Sequence, residues 1–219
     1  MIASEYDVEG PTTLGFDIRL TDQDVILART DLMTDLSNVQ QGHFSRNFVV
    51  NTFAGPVTIL RGWASVDAKV RSKTCRFVTT HLESLDQTIA SAQAAELVQV
   101  PSNTTLPVVI AGDFNSAAAG GPDPSKAYDS MIAAGFTDTW STAHPDDPGY
   151  TFPLHLEDQP PPSPPAPDSS PTERIDLVLS RGGVGVLGAQ LVGSTTASLT
   201  PSGLWPSDHA GVVATLRIP

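Results

Sequence analysis

Apolar and polar residues alternate with a period of two along much of the chain, a pattern typical of half-buried β-strands. Near the start, Phe16, Ile18 and Leu20 alternate before a polar turn predicted at 22–24, and residues 25–28 follow as the second arm of a hairpin. Further strands are predicted over 47–53, 57–70, 75–83, 173–181, 185–193 and 210–218. The pattern therefore predicts a protein in which strands predominate.

Two segments have the periodicity of helices instead. They cover residues 85–99 and 125–134, and each ends at a glycine or just before a proline. Because these helices interrupt the strands, the predicted fold class is α/β with packed mixed sheets. The proline-rich stretch 157–171 predicts a long surface loop inside a single domain that spans residues 1–219.

A buried strand is predicted at Val108–Ala111, and it runs directly into polar residues. On an extended chain, residues two apart point to the same side, so Asp113 and Asn115 are expected to share a face at the carboxyl end of this strand. Ligand and catalytic sites of α/β sheets usually lie at that end. Asp and Asn also favour turns, so a plain strand-ending turn is the alternative interpretation.

The chain is acidic, and this limits its partners. The 219 residues include 12 Lys and Arg and 24 Asp and Glu, which gives a formal net charge of -12. Tight non-specific binding to DNA depends on Lys and Arg contacts with phosphates, so the composition argues against it. No apolar run is long enough to predict a transmembrane segment. An acidic, Lys-poor composition also fits an exported bacterial protein, although no segment of the sequence assigns a compartment.

Four short motifs follow one another along the chain and carry most of the candidate chemistry. They are THLE at 80–83, GDFN at 112–115, ERIDLVLS at 173–180 and SDH at 207–209. In the third motif, Asp176 lies among apolar strand residues and needs a partner, because an unpaired buried carboxylate is costly. A structural salt bridge with Arg174 is the local candidate.

The order of these motifs resembles the endonuclease/exonuclease/phosphatase superfamily, the metal-dependent phosphodiesterases with a DNase I-like fold. The stretch DTWSTAHPDDPGYTFP at 138–153 is similar to a family segment that lies between the second and third motifs. The resemblance covers residues from about 12 to 219 and implies a two-sheet α/β sandwich, shortened at its N-terminus, with the site where strand ends of the two sheets meet.

The resemblance also implies a role for each motif residue. His81 is expected to contact the scissile phosphate, and Asp113 to orient or deprotonate the attacking water with Asn115 beside it. Asp176 is expected to hold the imidazole of His209, which stabilises developing charge. Asp113 and Asp208 are the expected metal-binding residues.

The expected cofactor is a divalent cation. Carboxylate-rich sites without cysteine suit Mg²⁺, Mn²⁺ or Ca²⁺, and Cys75 is the only cysteine, predicted to be a buried apolar residue. The family's opening Asn strand and the Glu that serves as principal metal ligand have no counterpart here. Glu5, Asp7 and Glu9 are interpreted as a polar lead-in on the solvated surface, so metal binding is expected to be weak. An open sheet edge left by the absent strands predicts pairing with a second copy.

Three functions are consistent with these features of the sequence. The favoured one is a metal-dependent hydrolase of phosphate esters, acting on a small-molecule or lipid phosphodiester. The second is a carboxyl-ester hydrolase of esterase or lipase type, in which Ser116 or Ser207 works with His81 or His209 on the same scaffold. The third is a catalytically impaired remnant. Chelation separates them, because EDTA abolishes only the first activity.

Overall fold

A computed structural model describes residues 2–9, 19–31, 35–53, 55–118, 126–154 and 171–219. The strands are β1 Ile2–Glu9, β2 Arg19–Ile26, β3 Asp35–His43, β4 Phe48–Thr52, β5 Gly55–Ile59, β6 Gly62–Val70, β7 Lys73–His81, β8 Val108–Asp113, β9 Thr137–Asp138, β10 Asp176–Arg181, β11 Gly185–Val192 and β12 Gly211–Arg217. The helices are α1 Gln87–Gln99, α2 Lys126–Ala133 and α3 Thr139–Ala143, with a short 3-10 helix at Thr196–Ser198.

Six strands form the main sheet, in the order β3-β6-β7-β8-β10-β9. The pair β7–β8 is parallel, whereas every other neighbouring pair in this sheet is antiparallel. Parallel neighbours need a crossover connection, and α1 supplies it between β7 and β8. The Asp86 carboxylate caps α1 by accepting from the backbone N–H groups of Thr88 and Ile89.

One face of the main sheet packs against α1 and α2 and forms the hydrophobic core. The strands contribute alternate residues such as Val78, Ile110 and Leu179, and the helices contribute Leu97 and Met131, all with no exposed surface. Period-two burial along a strand follows from the alternating direction of its side chains. The residues on either side of Ile110 and Leu179 in the sequence therefore point to the other face.

Two hairpins contact the opposite face of the sheet. In the β1–β2 hairpin, Ile26 packs with Ala64, Val66 and Phe77 of β6 and β7. The β11–β12 hairpin packs against β10 and α3. A third hairpin, β4–β5, joins β3 to β6.

The opening residues differ from their predicted structure. The turn expected at 22–24 is wrong, because these residues lie inside β2 and pair with β1, Asp22 opposite Tyr6 and Asp24 opposite Ser4. Residues 2–9 were expected as a polar lead-in, yet they form β1. Pairing between the two segments outweighs the turn preference of the Asp residues.

The α/β fold class, with mixed sheets and outer helices, is confirmed. The predicted helices are observed at 87–99 and 126–133, and Cys75 is buried, as expected. The predicted loop at 157–171 and the alternation at Phe16 and Ile18 lie outside the described residues, except for Pro171. Across the part of the chain that is described, no helix is both long and apolar enough to span a membrane.

Candidate active site

Three neighbouring strands of the main sheet bring His81, Asp113 and Asp176 into one row. His81 is the last residue of β7, Asp113 is the last residue of β8, and Asp176 is the first residue of the antiparallel β10. His81 lies opposite Asp113, and Asp113 lies opposite Asp176. Side chains at paired positions project from the same face. The row therefore places one imidazole and two carboxylates side by side at one end of the sheet.

The first contact in the row joins His81 to Asp113. His81 Nε2 lies 3.3 Å from Asp113 Oδ2. On the other side of the ring, Arg61 Nη1 lies 3.0 Å from His81 Nδ1. Arg61 precedes β6, in the connection from β5. The imidazole is therefore held between a guanidinium and a carboxylate.

The second contact joins Asp176 to His209, which lies just before β12. His209 Nδ1 is 2.8 Å from Asp176 Oδ2, as the resemblance predicted. The phenyl ring of Phe152 packs on the imidazole, with ring centroids 4.6 Å apart. Arg174 does not take Asp176 as its partner; its Nη1 lies 2.7 Å from Asp138 Oδ2.

Residues 151–154 hold these two side chains in place. The Ala210 N–H donates to the Thr151 carbonyl, at 2.8 Å, and the Leu154 N–H donates to the Asp208 carbonyl, at 2.7 Å. The buried Thr151 hydroxyl accepts from the N–H of Asp176, at 3.3 Å. One segment thus fixes the backbone of both members of the Asp176–His209 pair.

Asn115 does not share an extended face with Asp113 as expected. Its φ of 45° lies in the left-handed region, which Asn tolerates better than most residues. Asp113 Oδ1 accepts from the Asn115 N–H, at 2.8 Å, and Asn115 Nδ2 donates to the Leu82 carbonyl, at 2.9 Å. The strand therefore ends in an Asx-type turn, in which Asn115 ties the end of β8 to the segment after β7.

Asp113, Asp176 and His209 form a group that could hold a cation. Each offers one ligand atom, and these atoms lie within 4.8 Å of one another. An open cleft of about 210 Å³ adjoins the two carboxylates and is otherwise lined by small or aliphatic residues of β8, β10 and β12. Oxygen-rich ligand sets suit hard divalent cations, so the donor set fits the cofactor that the sequence predicts.

Burial and neighbouring charges change the acidities in this group. Burial raises the pKa of Asp113, and the nearby Asp176 carboxylate acts in the same direction, whereas His81 and the Asn115 N–H oppose the increase. The hydrogen bond to Asp176 raises the pKa of His209, and the charges of Asp113 and Asp208 contribute further. At a given pH, Asp113 therefore binds a proton more readily than an ordinary Asp, and His209 is more readily cationic.

The remaining candidates lie at the edge of this group or away from it. Asp208 is exposed and outside the three-residue group, with Oδ1 3.5 Å from Ser207 Oγ. Ser207 Oγ accepts from the His209 N–H, at 3.1 Å. Ser116 is 1% exposed, and its hydroxyl accepts from the Tyr128 N–H, at 2.8 Å. The buried hydroxyl of Ser116 therefore joins the segment after β8 to the first turn of α2.

Sequence reasoning missed two residues that contact the site, Arg61 and Thr151. Arg61 lies inside a stretch predicted as one continuous strand, so nothing local distinguishes it from a surface arginine. Thr151 lies in the segment 138–153, which resembles a family stretch but does not by itself assign a role to this threonine. Pattern analysis misses such residues because their partners are distant in the chain.

Comparison with known proteins agrees with this geometry. A sequence model of the Endonuclease/Exonuclease/phosphatase family matches residues 22–209. The chain belongs to this family, whose members hydrolyse phosphoester bonds. No match is found among curated proteins.

Solved structures share the fold at low sequence identity. A mannosyl-6-phosphatase of Bacteroides thetaiotaomicron superposes with a TM-score of 0.63 at 17% identity, covering 98% of this chain and 77% of that one. TDP2 of D. rerio, complexed with a single-strand DNA product, gives 0.61 at 16%, with 98% and 77% covered. The human Nocturnin catalytic domain with a bound sulfate anion gives 0.56 at 14%, with 99% and 73% covered. These similarities establish the DNase I-like fold.

Proposed function

We propose that this protein is a divalent-metal-dependent hydrolase of phosphate esters that acts on a small-molecule or lipid phosphodiester. The observation that carries the proposal is the row of His81, Asp113 and Asp176, extended by the 2.8 Å contact from Asp176 to His209. Hydrolysis of a phosphodiester needs positive charge and hydrogen-bond donors on the phosphate oxygens, together with a base for the attacking water. The imidazoles of His81 and His209 can provide the donors and positive charge, and the carboxylate of Asp113 can provide the base.

Each side chain in the row has a defined part in the proposed reaction. His81 donates a hydrogen bond to a phosphate oxygen. Asp113 accepts a proton from the attacking water. Asp176 accepts from His209 Nδ1–H, and the imidazolium that this contact favours donates from Nε2–H to the developing charge.

Asp113 and Asp176 would hold the cation, with the His209 imidazole beside it. When bound, such a cation neutralises negative charge on the phosphate oxygens. Because the described group has only two carboxylates, we expect an affinity on the order of the weak extracellular Ca²⁺ sites, about 10⁻⁴ to 10⁻³ M.

Charge supports a small or lipid substrate over a nucleic acid. The chain has 12 basic and 24 acidic residues, too few cations for a long phosphate-binding track. The serine-esterase alternative receives less support, because Ser116 is buried and Ser207 Oγ is bonded to a backbone N–H.

The deciding experiment measures hydrolysis of bis(p-nitrophenyl) phosphate and of p-nitrophenyl acetate in parallel. Mg²⁺, Mn²⁺ and Ca²⁺ are titrated up to millimolar concentrations, and EDTA is added to matched samples. We expect phosphodiester cleavage that needs the cation and stops with EDTA. Asp113→Asn should abolish this activity, whereas Asp146→Asn, at an exposed loop position, should leave it unchanged.

Two outcomes would contradict the proposal. Cleavage of the carboxyl ester alone, unaffected by EDTA, would favour the serine mechanism, and Ser116→Ala and Ser207→Ala would then identify the nucleophile. Faster cleavage of single-stranded DNA than of any small phosphodiester would instead show that the substrate class is wrong.

A further inference from the structure

The contact between Arg61 and His81 determines which nitrogen of the imidazole carries the proton. A guanidinium has five N–H donors, no acceptor, and a charge that persists at every pH a folded protein tolerates. Because Arg61 Nη1 lies 3.0 Å from His81 Nδ1, Nδ1 must be the acceptor in this contact. The ring proton of the neutral imidazole is then on Nε2.

The second contact of the imidazole agrees with a proton on Nε2. His81 Nε2 lies 3.3 Å from Asp113 Oδ2, so the Nε2–H donates to the carboxylate. The three side chains form a directed series, in which Arg61 donates to His81 and His81 donates to Asp113.

Arg61 is held by its backbone as well. Its N–H donates to Asn47 Oδ1, at 3.0 Å, and its carbonyl accepts from the Phe44 N–H, at 2.9 Å. Asn47 Nδ2 in turn donates to the Phe44 carbonyl, at 2.8 Å. These bonds close the base of the β4–β5 hairpin. The backbone of Arg61 is therefore held in a fixed position next to the site.

We propose that Arg61 is a positioning residue, which holds His81 in the neutral tautomer protonated on Nε2. His81 then presents an N–H, and not a lone pair, to the Asp113 carboxylate and to the phosphate oxygen of the substrate. The tautomer is a property of the free protein, whereas its catalytic consequence rests on the proposed phosphoester hydrolysis. Arg61 acts through His81, and the experiment separates this from direct binding of the substrate by Arg61.

Nitrogen-15 NMR of the imidazoles tests the tautomer without any substrate. The chain has five histidines, and the His81 signals are those that disappear in His81→Gln. We expect Nδ1 to have the shift of an unprotonated nitrogen and Nε2 that of a protonated one. In Arg61→Gln the two shifts should move towards the average of mixed tautomers, because Gln can accept as well as donate. A protonated Nδ1 in the unmodified protein, or an unchanged spectrum in Arg61→Gln, would overturn the proposal.

Kinetics with bis(p-nitrophenyl) phosphate test the consequence. Arg61→Gln should lower kcat by about 10- to 100-fold, the range found when a group that orients a functional histidine is removed, with a smaller change in KM. Arg61→Lys should retain part of the rate, because an ammonium is also donor-only. Arg71→Gln, in the exposed turn at the far end of β6 and β7, is the matched control and should have no effect.

A double variant decides whether Arg61 works through His81. If it does, Arg61→Gln combined with His81→Gln should be no slower than His81→Gln alone, to within about 2-fold. If instead the rate losses of the two single variants multiply in the double variant, Arg61 acts on the substrate directly, and the positioning role is overturned. If the unmodified protein cleaves no phosphoester, the proposed function fails, while the NMR shifts still decide the tautomer.

Discussion

At the scale of single residues, Asp176 shows how a carboxylate acquires its partner. Two residues before it in the chain is Arg174, an obvious candidate for a local salt bridge. Arg174 lies before β10 begins, and its side chain pairs with the buried Asp138 instead. Asp176 therefore keeps one oxygen for His209, at 2.8 Å, although His209 is 33 residues away.

Replacement of Asp176 by Asn tests its role as the partner of His209. The amide weakens the hydrogen bond and removes the charge that together raise the pKa of His209, so the imidazolium that donates from Nε2 is less populated. We expect kcat for the phosphodiester to fall by about 10²- to 10⁴-fold, the range of an acid–base or orienting group. Thermal stability should change little, because both side chains are partly exposed, at 20% and 25%. The measurement combines steady-state kinetics with thermal unfolding.

The control for this variant is Asp146→Asn, which removes a carboxylate from an exposed loop. It should leave turnover and thermal stability unchanged. Normal turnover in Asp176→Asn would exclude Asp176 from the mechanism.

At the scale of elements, one buried carboxylate joins α2, α3 and the strand that carries Asp176. Asp138 caps α3 by accepting from the Trp140 N–H, and it also accepts from the Tyr128 hydroxyl of α2, at 2.9 Å. Arg174, which lies just before β10, donates to it from Nη1, at 2.7 Å. Burial, followed by the charge of Asp138, raises the pKa of Tyr128 to about 12. The phenol therefore stays a hydrogen-bond donor throughout the neutral range.

Arg174→Met tests this connection. Met fills much of the same space but leaves the Asp138 carboxylate buried without its cationic partner. Both side chains are almost completely buried, at 3% and 4% exposed, so we expect the free energy of unfolding to fall by about 3–5 kcal/mol. Urea unfolding followed by circular dichroism measures the loss.

Arg29→Met is the matched control for Arg174→Met. It removes an arginine from the exposed Arg29–Asp31 pair, whose side chains are 72% and 60% exposed. Solvent screens such pairs, so its unfolding curve should stay close to that of the unmodified protein. Equal losses in the two variants would refute a special contribution from the buried pair.

At the scale of the whole molecule, β3 forms one edge of the main sheet among the described residues. Leu36 and Val39 on this strand are 39% and 55% exposed. An edge strand presents unpaired backbone groups that another chain can use. Asn38, with a φ of 49°, interrupts the register between Ser37 and Gln40. Such an irregularity shortens the length of strand that can pair.

Pairing of two copies through β3 is therefore expected to be weak and dependent on concentration. Size-exclusion chromatography with light scattering should show a shift from monomer towards dimer as the protein concentration increases. Val39→Lys should suppress the dimer, because a lysine on an edge strand opposes pairing. Thr104→Lys, at a half-buried position in the α1–β8 loop, provides a control for the added charge. A monomer at every concentration would refute pairing through this edge.

Much of the element order follows from local pattern. The strands that became β7, β8, β10, β11 and β12 were predicted within a few residues, and so were α1 and α2. Strand β3 was missed because its sequence, DLSNVQQGH, is largely polar and almost entirely exposed. The short α3 was missed as well. A strand held mainly by backbone pairing with a neighbour has no apolar alternation to reveal it.

The sequence by itself determined the α/β class, because side-chain alternation is a local property of the chain. The resemblance of its ordered motifs to a known family supplied the candidate residues His81, Asp113, Asn115, Asp176 and His209. Only the tertiary structure decided the partners. The register of β7, β8 and β10 sets His81, Asp113 and Asp176 side by side. The connection before β6 brings Arg61 to His81. Contacts between residues so distant in the chain depend on strand order, hairpin geometry and packing, which no local pattern encodes.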